Sequence, residues 1–243
     1  MYQAVMRQTV PVIYQDKDIV VVNKPAGITV IPERFDTEKK SVQHLLEDTF
    51  GKLFVVHRID RDTTGVLCFA RNEAAHRSLS MQFENRATRK EYAVIVRGQL
   101  AGTSGTIDSP ILENPRHAGT MMVHPKGKEA LTLFEVAEQF RHAALLQVEI
   151  KTGRTHQIRV HFASAGHPLL VDPIYGKPAF FLSEIKHHYK PTQEEERPTL
   201  ARLSLHAAAL TFQHPTSLQI CKYEAPLPKD LELVLKLLRK YDQ

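Results

Sequence analysis

Two short apolar runs, residues 53–56 and 66–69, enclose a polar turn that holds Asp60 among arginines. Each run is rich in β-branched or aromatic residues, so each reads as a buried strand, and the segment between them ends on Thr64-Gly65 turn chemistry. A carboxylate placed there is supported from both sides. Arg58 and Arg61 lie beside it, and nearby positive charge favours the ionised form, which suits a nucleophile or base better than a proton donor. Taken alone, an Arg-x-Asp-Arg turn is more often a surface ion-pair cluster than a reactive site.

The rest of the chain gives that turn a core to rest on. At 243 residues and 42% hydrophobic content it can bury a sizeable interior, which excludes a disordered chain. The formal charge of +5 and the pI near 9.1 suit a polyanionic partner without requiring one. Cys68 and Cys221 stand far apart in apolar segments, so neither a disulfide framework nor a cysteine zinc site is expected. Residues 1–11 lack a secretory apolar region and no run reaches the roughly 18 residues of a membrane span, so a cytoplasmic protein is expected.

Along the chain, residues 11–15 and 18–23 read as an antiparallel hairpin around Asp16-Lys17, closed by Lys24-Pro25-Ala26-Gly27. Residues 41–50 read as a helix with Val42, Leu45, Leu46 and Thr49 on one face and Gly51 as its stop. Asn72 is a good N-cap for a second helix carrying Ala75, Leu79 and Phe83. Residues 90–96 alternate as a central strand with Lys90, Tyr92, Val94 and Val96 on one side, and residues 145–151 form another strand. Thr155 is the expected cap of a helix over 156–165 that stops at Gly166, with Arg154 at its N-terminus making an anion site. Residues 98–131 read as hairpins and long loops. Residues 178–198, including Glu194-Glu195-Glu196, read as a surface insertion, and Asp230 starts a last helix with a stripe of Leu231, Val234, Leu235 and Leu238.

The segment His57-Arg58-Ile59-Asp60-Arg61-Asp62-Thr63-Thr64-Gly65 resembles the signature of the RluA-type pseudouridine synthases, with Ile59 for the usual Leu and Thr64 for the usual Ser. Three further blocks fall in that family's order: Asn23-Lys24-Pro25-Ala26-Gly27, the run from Lys90 to Gly98, and the run from Thr152 to Phe162. The likeness extends from about Val10 through His214-Pro215. Two departures stand out. No N-terminal module resembling a ribosomal-protein RNA-binding domain precedes the motifs, and Val171 stands before Asp172-Pro173-Ile174-Tyr175-Gly176 where relatives often have Gly.

The resemblance implies an α+β fold with a mixed, largely antiparallel central sheet, flanking helices and a central RNA cleft, in a single catalytic domain over 1–243 with two lobes. It makes Asp60 the catalytic carboxylate, Tyr92 the residue that stacks on the target base, Arg159 the partner of Asp60, and Arg58 the residue that displaces the nucleotide. Arg61, Arg154, His156 and Lys24 are expected substrate contacts, although Lys24 could equally be an ordinary solvated lysine. A uridine must leave its stack to reach a carboxylate, so a wedge and an aromatic platform make physical sense. The implied reaction is redox-neutral and uses no cofactor or metal; His156 and His161, five apart, miss the i, i+4 spacing of many metal sites. Whether Asp60 attacks sugar or base, or removes a sugar proton, is left open by sequence.

A monomeric enzyme acting on ribosomal or transfer RNA is therefore expected. An N-glycosylase would use the same carboxylate to release free uracil. A non-catalytic RNA-binding or ribosome-assembly protein of the same fold is the rival from another class, and retention of Asp60, Tyr92 and Arg159 counts against it.

Overall fold

The computed structural model describes residues 10–32, 40–191 and 195–243. Its first half is built around a hairpin, β1 (Val12–Gln15) and β2 (Ile19–Lys24), turned by Asp16, whose Oδ1 accepts the backbone N–H groups of Asp18 and Ile19. Helix α1 (Val42–Phe50) starts where Ser41 accepts from the His44 N–H and ends at Gly51, with φ 72°. Strands β3 (Phe54–Val55) and β4 (Thr64–Ala70) follow, then α2 (Glu73–Glu84), capped by the Asn72 side chain as expected. β2 and β4 pair antiparallel, and every residue of β4 is buried. A strand covered on both faces needs apolar residues at successive positions, which is why it reads as a run rather than an alternation. Val66, Cys68 and Ala70 pack with α2 on one face; Leu67 and Phe69 pack with α1 on the other.

The second half is an antiparallel sheet of β5 (Arg89–Arg97), β6 (Ser104–Asp108), β9 (Leu131–Gln139) and β10 (Ala143–Ile150), in which β10 returns to lie between β9 and β5. A separate two-stranded hairpin, β7 (Ile111–Glu113) with β8 (Met121–Val123), is inserted between β6 and β9. Then come α3 (Gln157–Ser164), β11 (Leu205–Gln213), β12 (Ile220–Glu224) and α4 (Lys229–Tyr241). On β5, Val94 and Val96 pack with Ile158 and Phe162 of α3, while Ile95 packs with Leu231, Val234, Leu235 and Leu238 of α4, as the alternation and the stripe predict.

The two halves meet where β4 lies parallel to β11, the one parallel strand pairing among the described residues, in a sheet ordered β1-β2-β4-β11-β5-β10-β9-β6. The fold is thus α+β with a mixed, mainly antiparallel sheet. Gly65 makes the seam possible: it has φ 116°, and a Cβ there would sit 2.1 Å from the Ala207 carbonyl oxygen. Thr64 Oγ1 and His206 Nδ1 lie 2.9 Å apart across the same pair, and His206 Nε2 donates to the Ala225 carbonyl.

Two local expectations are corrected. Thr155 does not cap α3; the N-cap position is His156, in the left-handed region at φ 55°, with no side-chain capping bond. The tertiary bonds of His156 and Gln157 outweigh local cap chemistry. Gln157 is tied down instead, its Oε1 accepting from Thr152 Oγ1 and the Arg154 N–H while its Nε2 donates to Leu131 O and Thr132 Oγ1. Within 178–198, Phe180 and Ile185 are buried in the core beneath α4, so this irregular segment is anchored and not wholly superficial; residues 192–194, Glu194 included, lie outside the described residues. Among the described residues no helix is long and apolar enough to cross a membrane.

Replacing Gly65 by alanine should break the seam. Gly65→Ala combines a disfavoured backbone region with a backbone collision, and is expected to lower stability by roughly 3 kcal/mol or more. A urea denaturation midpoint like that of the parent would contradict this.

Candidate active site

The Asp60 turn enters β4 beside the seam, and it is clamped from below. Lys24 is fully buried, and its ammonium donates to three carbonyl oxygens: Arg61 at 2.7 Å, Ile28 at 2.8 Å and Pro25 at 2.9 Å. Gly27 N–H donates to the same Arg61 carbonyl, and Arg61 Nε donates back to Gly27 O. Lys24 is therefore a strut under the turn and not the solvent-side contact considered from sequence. Three converging carbonyls satisfy all three of its N–H donors, leaving none for a phosphate. Burial pulls its pKa down to about 7, opposed by Asp62 and Asp60. His57 buttresses the turn's other end: its Nε2 accepts the Cys68 N–H at 3.0 Å and its ring stacks on Phe83. Burial, with a smaller push from Lys90, lowers the imidazole to about 3, so it is a neutral acceptor.

The Asp60 carboxylate meets α3 from above. Arg159 Nη1 donates to Asp60 Oδ2 at 3.0 Å, while its Nε and Nη2 donate to the two oxygens of Asp172, each at 2.8 Å. The guanidinium is thus shared between a half-buried carboxylate and a fully buried one. Burial alone would lower the Arg159 pKa, but Asp172 and Asp60 together raise it; burial alone would raise that of Asp172, but Arg159 and the backbone N–H groups of Ile174 and Tyr175 lower it. Among the described residues, Asp60 Oδ1 has no hydrogen-bond donor.

Asp60 stands where a cleft of about 770 Å³ adjoins a recess of about 80 Å³. Tyr92 lines both, and its hydroxyl has no hydrogen-bond partner among the described residues. Burial pushes that hydroxyl up, with Asp60 adding to the effect, so it is a neutral phenol. Arg58 and Arg154 also line both spaces, Arg61 lines the cleft, and His156 lines the recess. Arg154 Nε donates to the Glu129 carbonyl, which directs this side chain along the rim. The cleft is strongly cationic: Arg58, Arg61, Arg86, Lys90, Lys151 and Arg154 line it against Asp60 and Glu84. Asp60, Tyr92, Arg159, Arg58 and His156 are thus brought together, and Lys24 stands behind them.

Asp172 and Tyr175 are parts of this site that sequence reasoning missed. Asp172 Oδ1 accepts the N–H groups of Ile174 and Tyr175, so Asp-Pro turn chemistry accounts for it locally and conceals its bond to Arg159. The Tyr175 ring lies beneath the Arg159 guanidinium at 5.1 Å.

A second cluster, Asp16, Asp18 and His214, has metal-ligand residue types but lies at the opposite end of β2 from Lys24. Its carboxylates are engaged by Tyr14, His214, Asn72, Thr216 and backbone N–H groups, an arrangement that clasps two turns together.

The strut can be separated from the cleft experimentally. Lys24→Met leaves three carbonyls under the turn without donors and should lower stability by roughly 1–3 kcal/mol. An unchanged urea midpoint would return Lys24 to the set of exposed lysines.

Comparison with known proteins places the chain as a whole. Residues 18–164 match the family described as RNA pseudouridylate synthase. An RNA pseudouridine synthase of Bacillus subtilis (strain 168) is 37% identical over 237 residues, covering 93% of this chain and 72% of the relative. A protein named ribosomal large subunit pseudouridine synthase D, from Nitrosomonas europaea, is 35% identical and matches 94% of this chain, which spans 65% of that relative's length. The solved structure of human RNA pseudouridylate synthase domain containing 4 superposes with a TM-score of 0.71 at 26% identity, covering 94% of this chain and 93% of the other. By sequence and fold, this chain belongs to the RNA pseudouridine synthase family of isomerases.

Proposed function

We propose that the protein converts specific uridines of structured ribosomal or transfer RNA to pseudouridine, with Asp60 as the catalytic carboxylate. One observation carries the assignment: Asp60 is held through one oxygen by Arg159, its other oxygen is without a donor among the described residues, and it stands between the cationic cleft and the recess that Tyr92 lines. The wide cleft suits an RNA backbone, and the recess suits a base withdrawn from its stack. Arg58, exposed on the turn, is placed to fill the space left behind, and Tyr92 supplies an apolar ring for the extruded base.

The isomerisation breaks the N1–C1′ bond, turns the uracil within the site and joins C5 to C1′. C5 then loses its hydrogen and N1 gains one, so atoms and electrons balance without an external reactant. Asp60 is the carboxylate within reach of the sugar and base. Arg159 fixes its direction, because a planar guanidinium committed to Asp172 leaves little freedom in the donation from Nη1. The large-subunit ribosomal activity in the Nitrosomonas relative's name favours ribosomal RNA among the candidate substrates.

The non-catalytic rival has no use for a buried Arg159–Asp172 pair that presents one carboxylate to an open cleft. Pseudouridine maps of total RNA from cells with and without the gene test the proposal. Loss at one or a few stem-loop uridines, restored by the parent but not by Asp60→Asn, is expected; identical maps would favour an RNA-binding role. In vitro, Asp60→Asn should bind RNA with the same salt-dependent affinity and form no product. Tyr92→Ala should lose roughly 1–3 kcal/mol of base contact. Substantial product from folded Asp60→Asn would remove Asp60 from its role, and parent-like binding by Tyr92→Ala would return Tyr92 to the core.

A further inference from the structure

His156 carries a side chain in the left-handed backbone region, φ 55° and ψ 20°, immediately before α3. Such a conformation persists where surrounding contacts over-determine it. The contacts here form a chain. The Met121 N–H of β8 donates to the Tyr175 hydroxyl at 2.7 Å, and that hydroxyl lies 2.8 Å from His156 Nδ1. The His156 and Tyr175 rings meet edge to face at 5.6 Å, and His156 Nε2 lies 4.0 Å from Asp60 Oδ2.

Proton accounting favours one direction for this chain. A phenol has one hydrogen to give; with the Met121 N–H donating to the Tyr175 oxygen and His156 Nδ1 as the remaining partner of that hydroxyl among the described residues, the arrangement that uses the phenol hydrogen gives the Tyr175 O–H to His156 Nδ1. Nδ1 is then the acceptor of the imidazole, and the ring hydrogen resides on Nε2, the nitrogen nearest Asp60. Burial draws His156 below its ordinary pKa, opposed by Asp60, in keeping with a neutral ring. Nε2–H stands just outside hydrogen-bond range of the oxygen that Arg159 already holds, so a movement of about 1 Å would close the contact.

The far end of the chain is the β7–β8 hairpin. Its two strands pair with each other apart from the main sheet and rest on α3 through Ile111, Val160 and Tyr175. The loops around these strands carry the exposed cations Arg116, Lys126 and Lys128. Tyr175 therefore touches the hairpin, His156 and the Arg159 guanidinium at once.

We infer that Tyr175 and His156 are positioning residues that couple the seating of the β7–β8 hairpin on RNA to the geometry at Asp60. The coupling rests on the pseudouridine synthase reading given above. A phosphate backbone drawn to the hairpin cations presses β8 onto the Tyr175 hydroxyl. The hydroxyl holds His156 in its Nε2–H form, and Nε2–H steadies Asp60 Oδ2 beside Arg159. An RNA that fails to engage the hairpin leaves His156 Nε2 at its 4.0 Å separation from Asp60 Oδ2.

Two variants isolate the arm. Tyr175→Phe removes both hydrogen bonds and keeps the ring beneath Arg159. His156→Asn keeps an acceptor for Tyr175 and a residue that tolerates the left-handed region, but has no Nε2–H. Each should lower kcat by about tenfold with KM for RNA nearly unchanged, and the double variant should lose no more than the worse single one. Long-range ¹H–¹⁵N spectra of the free protein should show His156 as the Nε2–H tautomer in the parent and as a mixture in Tyr175→Phe. Parent-like kcat in Tyr175→Phe, a loss confined to KM, multiplying losses in the double variant, or an unchanged tautomer would each overturn the coupling. A parent protein that makes no pseudouridine would instead defeat the functional reading, while the spectra still test the arm.

Discussion

A single guanidinium shared by two carboxylates organises this molecule. Arg159 and Asp172 are both withdrawn from water, and a buried charge is tolerated only when it is paired and its hydrogen-bonding capacity is met. Asp172 meets that requirement with two 2.8 Å bonds, and its remaining capacity is taken up by the Ile174 and Tyr175 N–H groups. The fork thereby becomes rigid, and the third donation, to Asp60, acquires a fixed direction. Three separate parts of the chain converge on it: α3, the 172–176 turn and the turn entering β4. A lysine could carry the charge but not the plane.

Everything beneath Asp60 keeps that turn where Arg159 can reach it. The parallel β4–β11 seam, allowed by Gly65, joins the two halves of the sheet next to the turn. Lys24 and His57 fix it from below with hydrogen bonds and stacking, and neither takes part in the cleft's positive field by extending into solvent. The division of labour is physical: the buried, hydrogen-bonded Lys24 sets geometry, whereas Arg58, exposed on the turn, and the other cations that line the cleft give it its positive field.

Much of this could be read from the chain, for identifiable reasons. The Asp60 turn between apolar runs, the Asn72 cap, the Gly51 stop and the α4 stripe depend on local chemistry that sequence records directly. Asp60, Tyr92 and Arg159 were brought to one place by resemblance, since nothing local links a strand tyrosine to a helix arginine. The misreadings have the opposite cause. Lys24 beside Pro-Ala-Gly looks like an exposed turn residue until the carbonyls of Pro25, Ile28 and Arg61 converge on it. Thr155 has cap chemistry, but the tertiary partners of His156 and Gln157 decide how α3 begins. Asp172 is explained by its own turn, so its second allegiance becomes visible only when α3 is packed against it.

On the proposed reading, the Asp172 carboxylate governs the aim of Asp60 through the shared Arg159 guanidinium without touching substrate. Single-turnover pseudouridine formation by Asp172→Asn at saturating RNA, on protein shown to be folded at the assay temperature, measures it most directly. The expected rate is lower by roughly a hundredfold, the scale that follows when a reacting group is misplaced by about 1 Å, with RNA affinity preserved. A folded Asp172→Asn protein that turns over at the parent rate would contradict it.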